Sequence, residues 1–139
     1  MKNHRWPLLA GALLLCASSM ANAQAPLPKP QIQGDVAFLN GGAGDEEVQF
    51  IKQSMKDYTL ALSFARSVSP RAEYIASVAI TIKDGKGTTV FESPSVGPYL
   101  LVKLPAGKYS VVATYHDETQ TRPVSVGKSA GPLMTFAFR

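Results

Sequence analysis

The chain changes its apolar period twice. Residues 6–16 form an almost unbroken apolar run, Glu46 to Tyr58 repeats apolar residues at helical spacing, and from Thr59 onward apolar and polar positions alternate. In the helical stretch Val48, Ile51, Met55 and Tyr58 recur at steps of three, four and three residues, which sets them on one stripe of an α-helix. Phe50 falls outside that stripe, beside Glu46, Gln53 and Asp57. It is therefore expected either beneath the proline-rich leader at residues 24–34 or exposed for a partner. Asp45 is expected to cap this helix, with Glu46 and Glu47 complementing its macrodipole.

Past Tyr58, Leu60, Leu62 and Phe64 alternate with Thr59, Ala61, Ser63 and Ala65, the pattern of a half-buried strand. A turn-rich stretch, Ser67 to Ala72, leads to a second strand at Tyr74 to Lys83 with Tyr74, Ala76, Val78, Ile80 and Ile82 on one parity. Asp84-Gly85-Lys86-Gly87 then reads as a hairpin turn into Thr88 to Ser93. Further strands are expected at Pro98 to Leu104, Lys108 to His116, Thr119 to Val126 and Leu133 to Phe138, and a short one at Asp35 to Leu39. Short strands punctuated by turns predict a mainly β protein, an antiparallel β-sandwich of about six or seven strands with one N-terminal α-helix. The strand at Pro98 is unusual. Tyr99 and Leu101 oppose Leu100, Val102 and Leu104, so it is apolar on both faces and calls for cover by the helix or by a partner. Phe50, Tyr99 and Leu101 are accordingly the candidate partner contacts.

The N-terminus carries an address. Lys2 and Arg5 precede the apolar run, and Ala21-Asn22-Ala23 offers small residues where signal peptidase reads, which predicts a signal peptide over 1–23 and a mature chain starting at Gln24. Cys16 follows Leu15, whereas a lipoprotein signal has a small residue there. No later stretch reaches the length needed to span a bilayer, and the expected location is periplasmic or secreted. Residues 24–34 hold Pro26, Pro28 and Pro30 and read as an extended leader, leaving 35–139 for the helix and sandwich.

Composition narrows the chemistry. The 139 residues carry a net charge of +4, which falls to +2 once Lys2 and Arg5 are removed. Such a surplus makes no basic stripe for nucleic acid. Processing also removes Cys16 and His4 and leaves His116 alone, which excludes thiol nucleophiles, disulfides and zinc sites built from several Cys or His. Gly41-Gly42-Ala43-Gly44 is followed by Asp45, Glu46 and Glu47, where a phosphate loop would need Lys and Ser or Thr; the alternating oxygen ligands of a calcium loop are absent too. His116 shares its parity with Ser110 and Thr114 and is expected in a solvent-facing turn beside Asp117, which makes no nucleophilic triad. No catalytic, cofactor-binding or metal-binding residue is expected. Two binding readings remain. One is contact with an envelope protein; the other is glycan binding through planar aromatics off the core parity, Phe91 and Tyr99, with Tyr115 a third ring that core packing explains better.

The most informative local motif is Leu104-Pro105-Ala106-Gly107-Lys108-Tyr109-Ser110-Val111, preceded by Val96-Gly97-Pro98-Tyr99 and followed by Thr114-Tyr115. It resembles the hairpin of the carboxypeptidase regulatory-like family over roughly Tyr74 to Val126. The resemblance implies a prealbumin-like sandwich that serves as the non-catalytic companion of an enzyme or as a stand-alone binding or spacer module. It carries over no catalytic residue, and the helix at Glu46 to Tyr58 lies outside the family's core pattern.

Overall fold

A computed structural model of the protein describes residues 26–68 and 70–139, with Ser95 described in its backbone only. The segment expected to be a signal peptide, with Ala21-Asn22-Ala23 and Cys16, lies outside the described residues. In chain order the elements are β1 (Gln31–Gln33), β2 (Val36–Gly41), helix α1 (Asp45–Ser54) continued by a 3-10 turn (Met55–Asp57), β3 (Leu60–Val68), β4 (Arg71–Tyr74), β5 (Val78–Asp84), β6 (Thr89–Val96), β7 (Tyr99–Lys103), β8 (Gly107–Tyr115), β9 (Glu118–Val126) and β10 (Leu133–Phe138). They make two sheets. The larger runs β1-β2-β7-β3-β10, with β4 also paired to β3, and the smaller runs β6-β5-β8-β9.

The fold is the expected β-sandwich with one helix, and three details differ. Ten strands among the described residues replace the six or seven expected. One addition is β1, the last residues of the proline-rich leader, which pairs with β2; another is β4, split from β5 by Ser77 at φ 66. That left-handed residue breaks the parity assumed through Tyr74 to Ile82, so Val78, Ile80 and Ile82 are buried whereas Tyr74 is 65% exposed. Finally, β10 runs parallel to β3, in register from Leu133 opposite Ala61 to Phe138 opposite Arg66. Every other strand pair is antiparallel. Strand direction leaves no trace in an alternation of apolar residues, since period two is the same either way.

Between the sheets, Phe38, Leu62, Phe64, Leu100, Val102 and Phe136 from the larger sheet meet Val78, Ile80, Ile82, Phe91, Val111 and Ala113 from the smaller. Phe38 and Phe91 pack edge to face at 5.0 Å, and Phe64 stacks on Phe136 at 5.9 Å. Tyr109 joins this core, its hydroxyl donating to the Pro105 carbonyl at 2.7 Å, so the Leu-Pro-x-Gly-x-Tyr hairpin closes as its residue types suggest. A second apolar layer lies on the other face of the larger sheet, where Ile51 and Tyr58 meet Leu39, Ala61, Tyr99 and Leu101. This layer corrects the reading of β3 as half-buried. Its first six residues, Leu60 to Ala65, are all buried, because the helix covers the side that alternation assigned to solvent.

The helix start also differs from expectation. Gly44 at φ 92 is the cap, with no side-chain cap bond, and Asp45 is already helical. Glu47, three residues past that cap, instead ties down the loop before the helix, its Oε1 accepting the Gly42 N–H at 2.9 Å. Gly42 has φ +115, and a Cβ there would stand 2.6 Å from the Tyr99 ring. The glycine run thus lets the chain pass closely over Tyr99 into the helix.

Side chains stitch both lateral openings of the sandwich. At one, Gln33 of β1 donates to the Glu92 carbonyl at 2.6 Å and accepts its N–H at 2.8 Å. At the other, Arg122 donates to the Thr135 carbonyl at 2.9 Å and Gln120 to that of Ala137, while the Arg122 guanidinium lies over Phe136. These bonds occupy backbone groups at the edges of β6 and β10 that strands would otherwise leave unpaired.

Candidate functional site

The packing of α1 on the larger sheet leaves a groove at the helix C-terminal end. Pro30, Leu39, Phe50 and Tyr58 form its apolar walls, Ser54, Asp57 and Lys103 its polar margin, and it encloses about 430 Å³, within the range of ligand pockets. Two further hollows continue it across the end of the sandwich, and Lys103 borders all three. Lys56 and Lys128 line the second hollow with Asp57; Asp35, Pro105 and Lys128 line the third.

Local structure explains how these groups converge. The 3-10 turn at Met55–Asp57 tightens the helix end and swings Asp57 and Tyr58 toward the start of β3. Thr59 fixes the junction: its hydroxyl accepts the Leu104 N–H at 2.8 Å and donates to the Leu104 carbonyl at 2.9 Å. Lys103, the residue before, is thereby held at the rim while its backbone neighbours Val102 and Leu104 are buried. Burial of Tyr58, and secondarily the Asp57 carboxylate beside it, pushes the Tyr58 hydroxyl pKa up from 10.0, so it stays a neutral hydrogen-bonding group in the groove. Among the described residues the one ion pair is Arg66–Glu73. Lys56, Lys103 and Lys128 therefore face the hollows without an anionic partner.

Of the candidate contacts, only Phe50 borders the groove. It is half-buried, packed against the helix–sheet layer, with Pro30 of the leader across the same hollow. Tyr99 and Leu101 are 2% and 0% exposed beneath the helix, which supplies the cover their doubly apolar strand required. The Tyr99 ring stacks on Tyr74 at 5.6 Å, and burial, followed by the Tyr74 hydroxyl, pushes its pKa up to about 12. Phe91 is a correction: it is fully buried in the inter-sheet core rather than displayed for a glycan. Tyr115 packs against Phe138 and the His116 ring. His116 is exposed at φ 51, in the turn expected for it.

Sequence reasoning missed Lys103, Tyr58 and Pro30 as site residues. Lys103 had a visible signal, a single charge interrupting the apolar run Leu100 to Leu104. Tyr58 was expected only as part of the buried helical stripe, and Pro30 only through the proline-rich leader expected over Phe50; the structure brings both to the same groove. Among the described residues no three His, Cys, Asp or Glu gather as metal ligands, and no helix is long and apolar enough to cross a membrane. No family model matches the chain, and no curated protein matches it either.

Proposed function

We propose that the protein is a non-enzymatic sandwich module of the periplasm, or secreted, that acts by holding a protein partner of the cell envelope in the groove beside Phe50. The observation that carries this reading is the groove itself: apolar walls from Pro30, Phe50 and Tyr58 with unpaired Lys103 at the rim, the combination of an apolar anchor site and a polar margin found at protein interfaces. The signal-like N-terminus supports the location. The likeness of the Leu104 to Val111 hairpin to carboxypeptidase regulatory-like sandwiches supports a module without catalysis of its own. A protein contact is preferred to a glycan because Phe91 and Tyr99 are packed inside, which leaves neither ring face free to stack on a sugar.

A photo-crosslinking side chain at position 50 of the exported protein tests this, with the same group at exposed Thr121 of β9 as the reference. The expected result is a discrete crosslinked species from position 50 that is absent from position 121 and weakened by Lys103→Glu. Crosslinking that is equal from both positions, or absent from position 50, removes the groove as the contact site.

A further inference from the structure

The pairing of β4 with β3 leaves half of the backbone of β4 unused. In an antiparallel ladder successive residues turn their N–H and C=O groups alternately toward and away from a neighbouring strand. Ile75 donates its N–H to the Phe64 carbonyl at 3.1 Å, and Glu73 and Arg71 stand opposite Arg66 and Val68. Ile75, Glu73 and Arg71 thus turn toward β3, and Ala72 and Tyr74 turn outward. All four residues of β4 are exposed. Among the described residues nothing bonds to the outward groups of Ala72 and Tyr74. At β6 and β10, by contrast, side chains occupy edge groups; β1 also ends its sheet with exposed residues, but Gln31-Ile32-Gln33 carries no charge that could select a partner. Pro123 blunts β9 in another way, since it brings no N–H to that edge strand.

We propose that β4 is a self-association edge, where two copies of this chain pair antiparallel about a two-fold axis through Ala72. The sequence itself selects the partner. Arg71-Ala72-Glu73 reads plus, neutral, minus, so its own reversal about Ala72 places opposite charges face to face, whereas a parallel in-register pairing would place like charges together. In that register Ala72 exchanges two N–H···O=C bonds with Ala72 of the partner subunit, and Arg71 stands directly across from Glu73 of the partner subunit, twice by symmetry. Glu73, which meets Arg66 at 3.1 Å, then lies between two guanidinium groups. A pairing this short buries far less than the roughly 1,200 Å² of stable interfaces, so the dimer is weak and forms at high local concentration.

Sedimentation velocity on the full mature chain, from micromolar to millimolar concentration at low salt, tests the pairing with four proteins: the natural sequence, Arg71→Glu, Glu73→Arg, and both reversals together. The natural chain is expected to show a monomer–dimer equilibrium. Each single reversal sets like charges opposite one another at two symmetric places and is expected to weaken it about tenfold, while the double reversal restores it to within about threefold. The substitutions lie on an exposed edge, and circular dichroism confirms that each variant is folded. A natural chain that stays monomeric at millimolar concentration overturns the proposal, whether or not β4 pairs with some other chain. So does a dimer indifferent to the single reversals, or one that the double reversal fails to restore.

Discussion

The two faces of the larger sheet carry apolar layers built in different ways. The inner layer is shared by both sheets: Phe38, Phe64 and Phe136 interlock with Phe91, Ile80 and Val111, so every strand entering it is tied by ladders on its own side. The outer layer rests on a single ten-residue helix laid over Leu39, Ala61, Tyr99 and Leu101. A helix of that length is not stable alone in water, and its persistence depends on the few apolar contacts beneath it. One face of the sheet is therefore the fold, and the other is a covered surface whose cover can be loosened. The groove beside Phe50 lies at the margin of the second kind.

The sharpest way to break this comparison is to empty each layer in turn. Phe64→Ala removes a fully buried ring from the inner layer and is expected to cost about 3 to 5 kcal/mol, read in urea as a lower midpoint at unchanged slope. Ile51→Ala opens the outer layer, where Ile51 is also fully buried. It is expected to cost about 2 to 3 kcal/mol, with a different signature. Hydrogen exchange of the α1 amides should rise while β5 and β8 keep their protection, and a hydrophobic dye should bind the uncovered Tyr99 and Leu101. Equal loss of protection throughout the Ile51 variant would show the two layers to be one cooperative unit.

Alkaline pH offers a gentler probe of the outer layer. Tyr99 has its pKa raised to about 12, first by burial and then by Tyr74, against the ordinary 10.0 it regains when unfolded. Below pH 10.0 both states hold the proton and nothing changes; between 10.0 and about 12 the unfolded state releases it and the folded state does not. Stability should thus fall across that window, by about 2 kcal/mol, and level off above it. Tyr58 and Tyr109 are shifted in the same direction by burial, so Tyr99→Phe should flatten the fall without abolishing it. An unchanged slope in that variant would mean that Tyr99 reaches solvent when the helix breathes.

The same division explains what could be read from the sequence. The smaller sheet has one solvated face, and there alternation works: Val78, Ile80 and Ile82 on β5, and Tyr109, Val111 and Ala113 on β8, are buried as their parity requires. In the larger sheet the burial of Ala61, Ser63 and Ala65 escaped notice because small residues look neutral to a hydrophobic count. They are small where the outer layer packs closely, and Ser63 is buried because its hydroxyl meets that of Thr135 at 2.7 Å. Phe91 was misplaced by a different cause. The β5–β6 pairing contains register shifts, one of them between Ile82 and Lys83, and a bulge there reverses the face on which later residues fall. The groove was legible in part: Phe50 stood out by its helical phase and the leader was one of the two covers expected for it, while Lys103 reaches the groove through tertiary contacts.

The smallest expected effect lies where no second layer exists, at the β8–β9 hairpin. His116 has φ 51, and Asp117 is not among the residues with positive φ, so the two-residue turn follows the type II′ pattern, which favours Gly at its first position. A non-glycine residue there bears a steric cost of about 1 to 2 kcal/mol, and His116 recovers some of it by packing its ring against Tyr115 at 4.2 Å. His116→Ala keeps the cost and loses the contact, and should destabilise by about 0.5 kcal/mol. His116→Gly loses the same contact but relieves the turn, offset by the greater freedom of glycine in the unfolded chain, and should fall within about 0.5 kcal/mol of the natural protein. Thermal melts that rank Ala above Gly would contradict the turn assignment. A loss above about 2 kcal/mol for either would place His116 in an interaction that the geometry of this exposed hairpin does not contain.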